Sequence, residues 1–145
     1  MAPKRKPNVP ENATADAKPI RVEIAPGELI DKITILEIKC ARISDAAKLR
    51  NVGIELKMLQ AARDAAITAS RELSELTGRL KAVNEALWNI EDDVRACERT
   101  KDFGPHFVEL ARSVYHNNDQ RAALKRKINE LLGSTIVEEK AYAAY

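Results

Sequence analysis

Two polar side chains interrupt an otherwise apolar ladder late in the chain, and one acid points into an apolar arc near its start. Starting at Phe107, the residues Leu110, Val114, Asn117, Arg121, Leu124, Ile128 and Leu131 follow in alternating three- and four-residue steps. That is the spacing of a helix seam packed against a partner. Asn117 and Arg121 occupy its middle. In an earlier helix Glu37 falls within the arc formed by Leu29, Ile30, Ile33, Leu36, Cys40 and Ile43. An unpaired charge in such a place is costly, so Glu37 is expected to meet Arg121, whose guanidinium fork can hold a carboxylate by two hydrogen bonds. Around this level one flank of the predicted helix pair gathers Asn84, Trp88, Glu91, Arg95, Tyr115, Asn118 and Lys125. As a cleft, the group would take a small anionic nucleotide- or sugar-type molecule. Arg121, Arg95 and Lys125 would then meet its charge, Trp88 would stack on it, and Glu37 or Glu91 would serve as base. As a structural layer, the same Glu, Asn and Arg would fix helix register with no ligand, as a single polar seam residue does in a coiled coil.

Recognised catalytic signatures are missing: there is no Gly-rich phosphate loop, CxxC, HExxH or Ser/His/Asp grouping. His106 with Glu109, and His116 with Asp119, each place a His and an acid on one helical face. His116 and Asp119 fall at outward positions, and no second helix supplies an inward Glu and His. No metal and no cofactor is therefore expected.

These residues need long helices to position them. Pro26-Gly27 turns the chain into a first helix over about 28–42, with Pro at the entry and Glu28 and Asp31 at its positive end. Ser44-Asp45 caps a second over about 46–67, with seam residues Leu49, Val52, Leu56, Leu59, Arg63 and Ala66. Ser70 caps a third, which runs to about Glu98 on Leu73, Leu76, Leu80, Val83, Leu87, Ile90, Val94 and Cys97. The turn at Lys101-Asp102-Phe103-Gly104 and Pro105 start a fourth, which ends near Leu132 with Gly133 after it. Short loops predict an all-α, antiparallel up-down-up-down four-helix bundle with long helices three and four. The turn at Asp102 sets Leu76 opposite Ile128, Leu80 opposite Leu124 and Leu87 opposite Asn117, and the second helix is expected to face the third. Cys40 and Cys97 both lie on apolar positions, which predicts buried thiols. They are separated by about 10 Å along the bundle, beyond disulfide reach. Segments 20–24 and 135–140 are β-prone and could pair.

The 145 residues suit one domain with a real core. Net charge is +2, and all of it sits in residues 1–19, where Lys4, Arg5, Lys6 and Lys18 outnumber Glu11 and Asp16. The remaining body sums to zero, which argues against nucleic-acid binding. Pro3, Pro7, Pro10 and Pro19, with no apolar run, predict a disordered basic tail over 1–19 that is neither signal peptide nor membrane span. A cytoplasmic location and a single helical domain over 20–142 follow as expectations.

The phrases PGELIDKITILEIK at 26–39, LKAVNEALWNIEDD at 80–93, NDQRAALK at 118–125 and VEEKAY at 137–142 resemble a family of small bacterial proteins of unknown function. The likeness covers about 20–142. It implies no catalytic residue, although Glu37, Asn84, Trp88, Glu91, Asn118 and Arg121 all lie within the shared phrases. Taken together, the residues favour a non-enzymatic helical interaction or accessory module that takes a protein partner or forms a homodimer. The alternative is a ligand-binding or catalytic bundle. Ile35, apolar among Glu28, Asp31, Lys39 and Arg42, hints at a partner surface.

Overall fold

A computed structural model describes residues 18–145, so most of the predicted disordered tail lies outside the described residues. Four helices make up the fold, α1 (Pro26–Arg42), α2 (Ala46–Ala66), α3 (Arg71–Thr100) and α4 (Pro105–Leu131), with no strand among the described residues. Their ends follow the expected chemistry. Asp45 accepts the Lys48 N–H at 2.8 Å, and Ser70 accepts that of Leu73 at 3.1 Å, which ties down two donors that a helix start leaves unpaired. Pro105 opens α4, and the Gly104 N–H before it donates to Asp102 at 3.1 Å. After α4, Gly133 turns with φ 65°, and the Ser134 N–H reaches back to the Asn129 carbonyl at 2.9 Å, a Schellman ending.

α1 is the central element, touching α2, α3 and α4. It buries Leu29, Ile30, Ile33, Leu36 and Ile38, together with Gly27, Asp31 and Thr34, so it is enclosed over much more than one stripe. Ile35, read as a partner surface, is half-buried. The core cluster joins Ile30 to Leu73 and Leu80 of α3 and to Leu124 and Ile128 of α4. Leu80 and Leu124, which the turn at Asp102 is expected to set opposite each other, both belong to that cluster.

α2 departs from the expectation. Among the described residues it touches only α1, and it buries no residue fully. The expected seam between helices two and three is not formed. Leu49, Val52, Leu56, Leu59 and Arg63 are half-buried and Ala66 is exposed. The physical reason is that α1 is enclosed over so much of its circumference that one side of it satisfies the α2 seam while another closes on α3 and α4. Cys40 is a second correction. It is exposed while Cys97 is buried, and both are free. The segments 20–24 and 135–140 do not pair. Residues after Gly133 instead run back along α4, with Lys140 on Asp119 at 2.7 Å and the Tyr145 hydroxyl donating to the same carboxylate at 2.7 Å.

Candidate functional site

The buried polar layer lies where three helices meet, and its acid comes from a residue the periodicity did not single out. Gly27, Asp31, Thr34 and Ile38 stand at i, i+4, i+7 and i+11 on one face of α1, and all four are buried. Asp31 is 1% exposed. Its Oδ1 accepts from Arg121 Nε at 2.9 Å and from Asn84 Nδ2 at 2.9 Å. Its Oδ2 accepts from Arg121 Nη2. The second Asn84 donor goes to Thr34 Oγ1 at 2.9 Å, and that hydroxyl donates to the Asp31 carbonyl at 2.8 Å. Both carboxylate oxygens are therefore engaged by the chain itself.

One turn away a second cation, this one buried, repeats the pattern. Lys125 Nζ lies 2.6 Å from Glu28 and 3.3 Å from Glu138. Beyond it, Asn129 Oδ1 accepts the Gly27 N–H at 2.7 Å, so a side chain of α4 caps α1, whose own cap residue, Ala25, cannot. The backbones touch here, since a Cβ on Gly27 would stand 2.4 Å from the Lys125 carbonyl oxygen. Asn129 Nδ2 is buried with no partner among the described residues.

Burial alone would raise the pKa of Asp31. The hydrogen bonds from Arg121 and Asn84, and then the charges of Arg121 and Lys125, outweigh burial and hold the carboxyl below its ordinary value. Because the folded-state value lies below the unfolded one, the stabilisation is present at neutral pH and is lost as pH falls through the folded value. Burial likewise pushes the Lys125 ammonium down, but Glu28, Asp31 and Glu138 together raise it. Arg121 is raised, chiefly by its bond to Asp31.

The residues expected to form a site divide into separate groups. Asn84, Arg121 and Lys125 come together, around Asp31 and Glu28. Glu37 does not meet Arg121: it pairs with Lys81 at 3.1 Å and is half-buried. The guanidinium reaches the acid lying closer to the α1 N-terminus because Gly27 brings α4 close at that end. Asn117 donates to the Ser113 carbonyl of its own helix at 2.8 Å. Glu91 and Arg95 form an exposed i,i+4 pair with each other. Trp88 is half-buried. Tyr115 is exposed, its ring 5.1 Å from that of Tyr145, and Asn118 lines a groove beneath the returning C-terminal segment.

Asp31, Thr34, Glu28, Asn129 and Glu138 were missed. The signal that could have found the first two is the small and polar spacing of Gly27, Asp31 and Thr34, which marks a second packed face on α1. No three His, Cys, Asp or Glu side chains cluster as metal ligands would among the described residues. No helix among them is long and apolar enough to cross a membrane.

The sequence model described as "Family of unknown function (DUF6165)" matches residues 20–145. No curated protein and no solved structure matches the chain.

Proposed function

We propose that this chain, which belongs to the DUF6165 family of unknown function, is a non-enzymatic interaction module that pairs with a second copy of itself through α2. The observation that carries this reading is that α2, among the described residues, packs on α1 alone and presents on its far side a stripe that is apolar except at Asn51. Ala47, Asn51, Ile54, Met58, Ala61 and Ala65 recur in four- and three-residue steps and are all exposed. They lie about 150° around the helix from the seam on α1. Ile54 is 62% and Met58 55% exposed, large side chains for an open helix face. The stripe is self-complementary if two copies of α2 pair antiparallel. Ile54 then meets Met58 of the second copy, Ala47 meets Ala65, and Arg50 faces Asp64. Small residues at both ends allow close approach.

Within each copy we take successive helices as antiparallel neighbours in one domain over 20–142. Supporting this is the falling register between α1 and α4, where Gly27, Glu28 and Asp31 engage Asn129, Lys125 and Arg121 in turn. We place the protein in the cytoplasm, since an exposed free thiol at Cys40 suits a reducing compartment. The alternative, a small anionic ligand, draws on a cavity of about 290 Å³ that Arg121, Lys125, Asn118 and Lys140 help line. It is the weaker of the two, because Asp31, Glu28, Glu138 and Asp119 already neutralise those cations.

A single helix pair is small beside the roughly 1,200–2,000 Å² of a stable interface, so the dimer should depend on concentration. Sedimentation equilibrium over a wide concentration range should show monomer and dimer exchanging. The double substitution Ile54→Glu/Met58→Glu should give monomer throughout, with helicity unchanged and a melting temperature equal to that of wild type at concentrations where wild type is itself monomeric. A wild-type protein that is monomeric at every concentration, or a dimer that survives both substitutions, would overturn the proposal.

A further inference from the structure

We propose that residues 133–145 form a displaceable strap over a peptide-binding face of α4, and that this face takes an extended acidic segment bearing a tyrosine from another protein. The strap is held by polar contacts, one of them to the buried ammonium of Lys125 and the others nearer the surface. Glu138 lies 3.3 Å from Lys125, Glu139 lies 3.3 Å from Arg126, and Lys140 lies 2.7 Å from Asp119. The Tyr145 hydroxyl donates to Asp119, and its ring packs 4.8 Å from His116 and 5.1 Å from Tyr115. None of its side chains is fully buried, and the last buried residue before it is Asn129. It spans α4 without filling the space beneath, leaving a groove of about 950 Å³ floored by Ala122 and Ala123.

The Lys125–Glu138 pair is part-buried, but Lys125 keeps Glu28 at 2.6 Å when Glu138 leaves. The other, more exposed pairs stabilise by about 0–1 kcal/mol each, while ordering backbone costs about 1–2 kcal/mol per residue. The latch is therefore shallow, and none of its own side chains leaves a fully buried position on release. Gly133 provides the turn at its root.

The strap's own sequence defines what the uncovered face would recognise. Lys125 and Arg126 meet two adjacent carboxylates; seven residues beyond the first, a phenol meets Asp119 and Tyr115. A segment supplied in trans would need the same chemistry. It must also compete with a tethered strap whose effective concentration is on the order of millimolar, so the closed form masks the face.

The test uses a fluorescein-labelled peptide of residues 135–145, titrated by anisotropy against the full chain. A strap-weakened variant, Glu138→Gln/Glu139→Gln/Tyr145→Ala, should bind it at least tenfold more tightly than wild type. Adding Arg126→Glu, at an exposed position, should weaken that binding tenfold or more, and helicity should be the same in all three proteins. Equal affinity for wild type and variant, or no binding by a well-folded variant, would overturn the proposal. Straps exchanged between copies would appear as a dimer that persists in Ile54→Glu/Met58→Glu. That result would assign the face to a second copy and overturn an external partner.

Discussion

Arg121→Ala is expected to lower stability by about 3–5 kcal/mol, the usual consequence of removing one partner of a buried ion pair. The cost arises at Asp31, not at the guanidinium. Asp31 is 1% exposed, and without Arg121 its carboxylate retains only the Asn84 hydrogen bond. The Arg121 side chain is 31% exposed, so when the acid is removed the guanidinium can turn to water. Asp31→Asn should therefore cost less than Arg121→Ala, and urea denaturation of the two variants reads the asymmetry directly. Arg121→Lys should recover only part of the loss, since an ammonium cannot span both carboxylate oxygens. An Arg121→Ala variant as stable as wild type would mean that the pair contributes nothing.

Gly27→Ala should cost about 3 kcal/mol, although alanine is the better helix former. Its Cβ would stand 2.4 Å from the Lys125 carbonyl oxygen and 2.8 Å from Asn129 Oδ1. One contact is backbone and the other a buried capping group, so neither can move aside cheaply. Overpacking alone costs about 1–3 kcal/mol. Pushing Asn129 away also strands the buried Gly27 N–H, worth about 1–3 kcal/mol more. Gly53→Ala is the control. Nothing lies within 4 Å of its Cβ, so the same change inside α2 should stabilise by about 0.5–1 kcal/mol. Opposite signs at two helical glycines in one thermal-denaturation series would locate the close crossing of α1 and α4.

The helices could be read from the sequence because their signals are local. Pro26, Asp45, Ser70, Pro105 and Gly133 mark ends within a few residues, and each does so in the structure. The pairing of α3 with α4 was readable as well, because a four-residue turn leaves little freedom in register. The place of α1 was not. Its apolar residues describe an arc, and one arc suggests one buried side, whereas Gly27, Asp31 and Thr34 form a second buried side that hydrophobicity cannot register. For the same reason Glu37 looked like the buried acid and Asp31 like an ordinary helix-dipole partner. Arg121 and Asn84 stood out because they interrupt or flank an apolar ladder, and both belong to the layer. The strap contacts were hidden for a different reason: ion pairs between an extended segment and a helix leave no periodic trace.

The central claim is that a buried carboxylate, engaged on both oxygens by Arg121 and Asn84, locks α1 to α3 and α4. The most direct test is the titration of the Asp31 side-chain carboxyl, followed by carbon-detected NMR in wild type and in Arg121→Gln. The midpoint should lie below that of an ordinary aspartate in wild type and rise when the guanidinium is lost. A wild-type midpoint at or above the ordinary value, unchanged by the substitution, would contradict the lock.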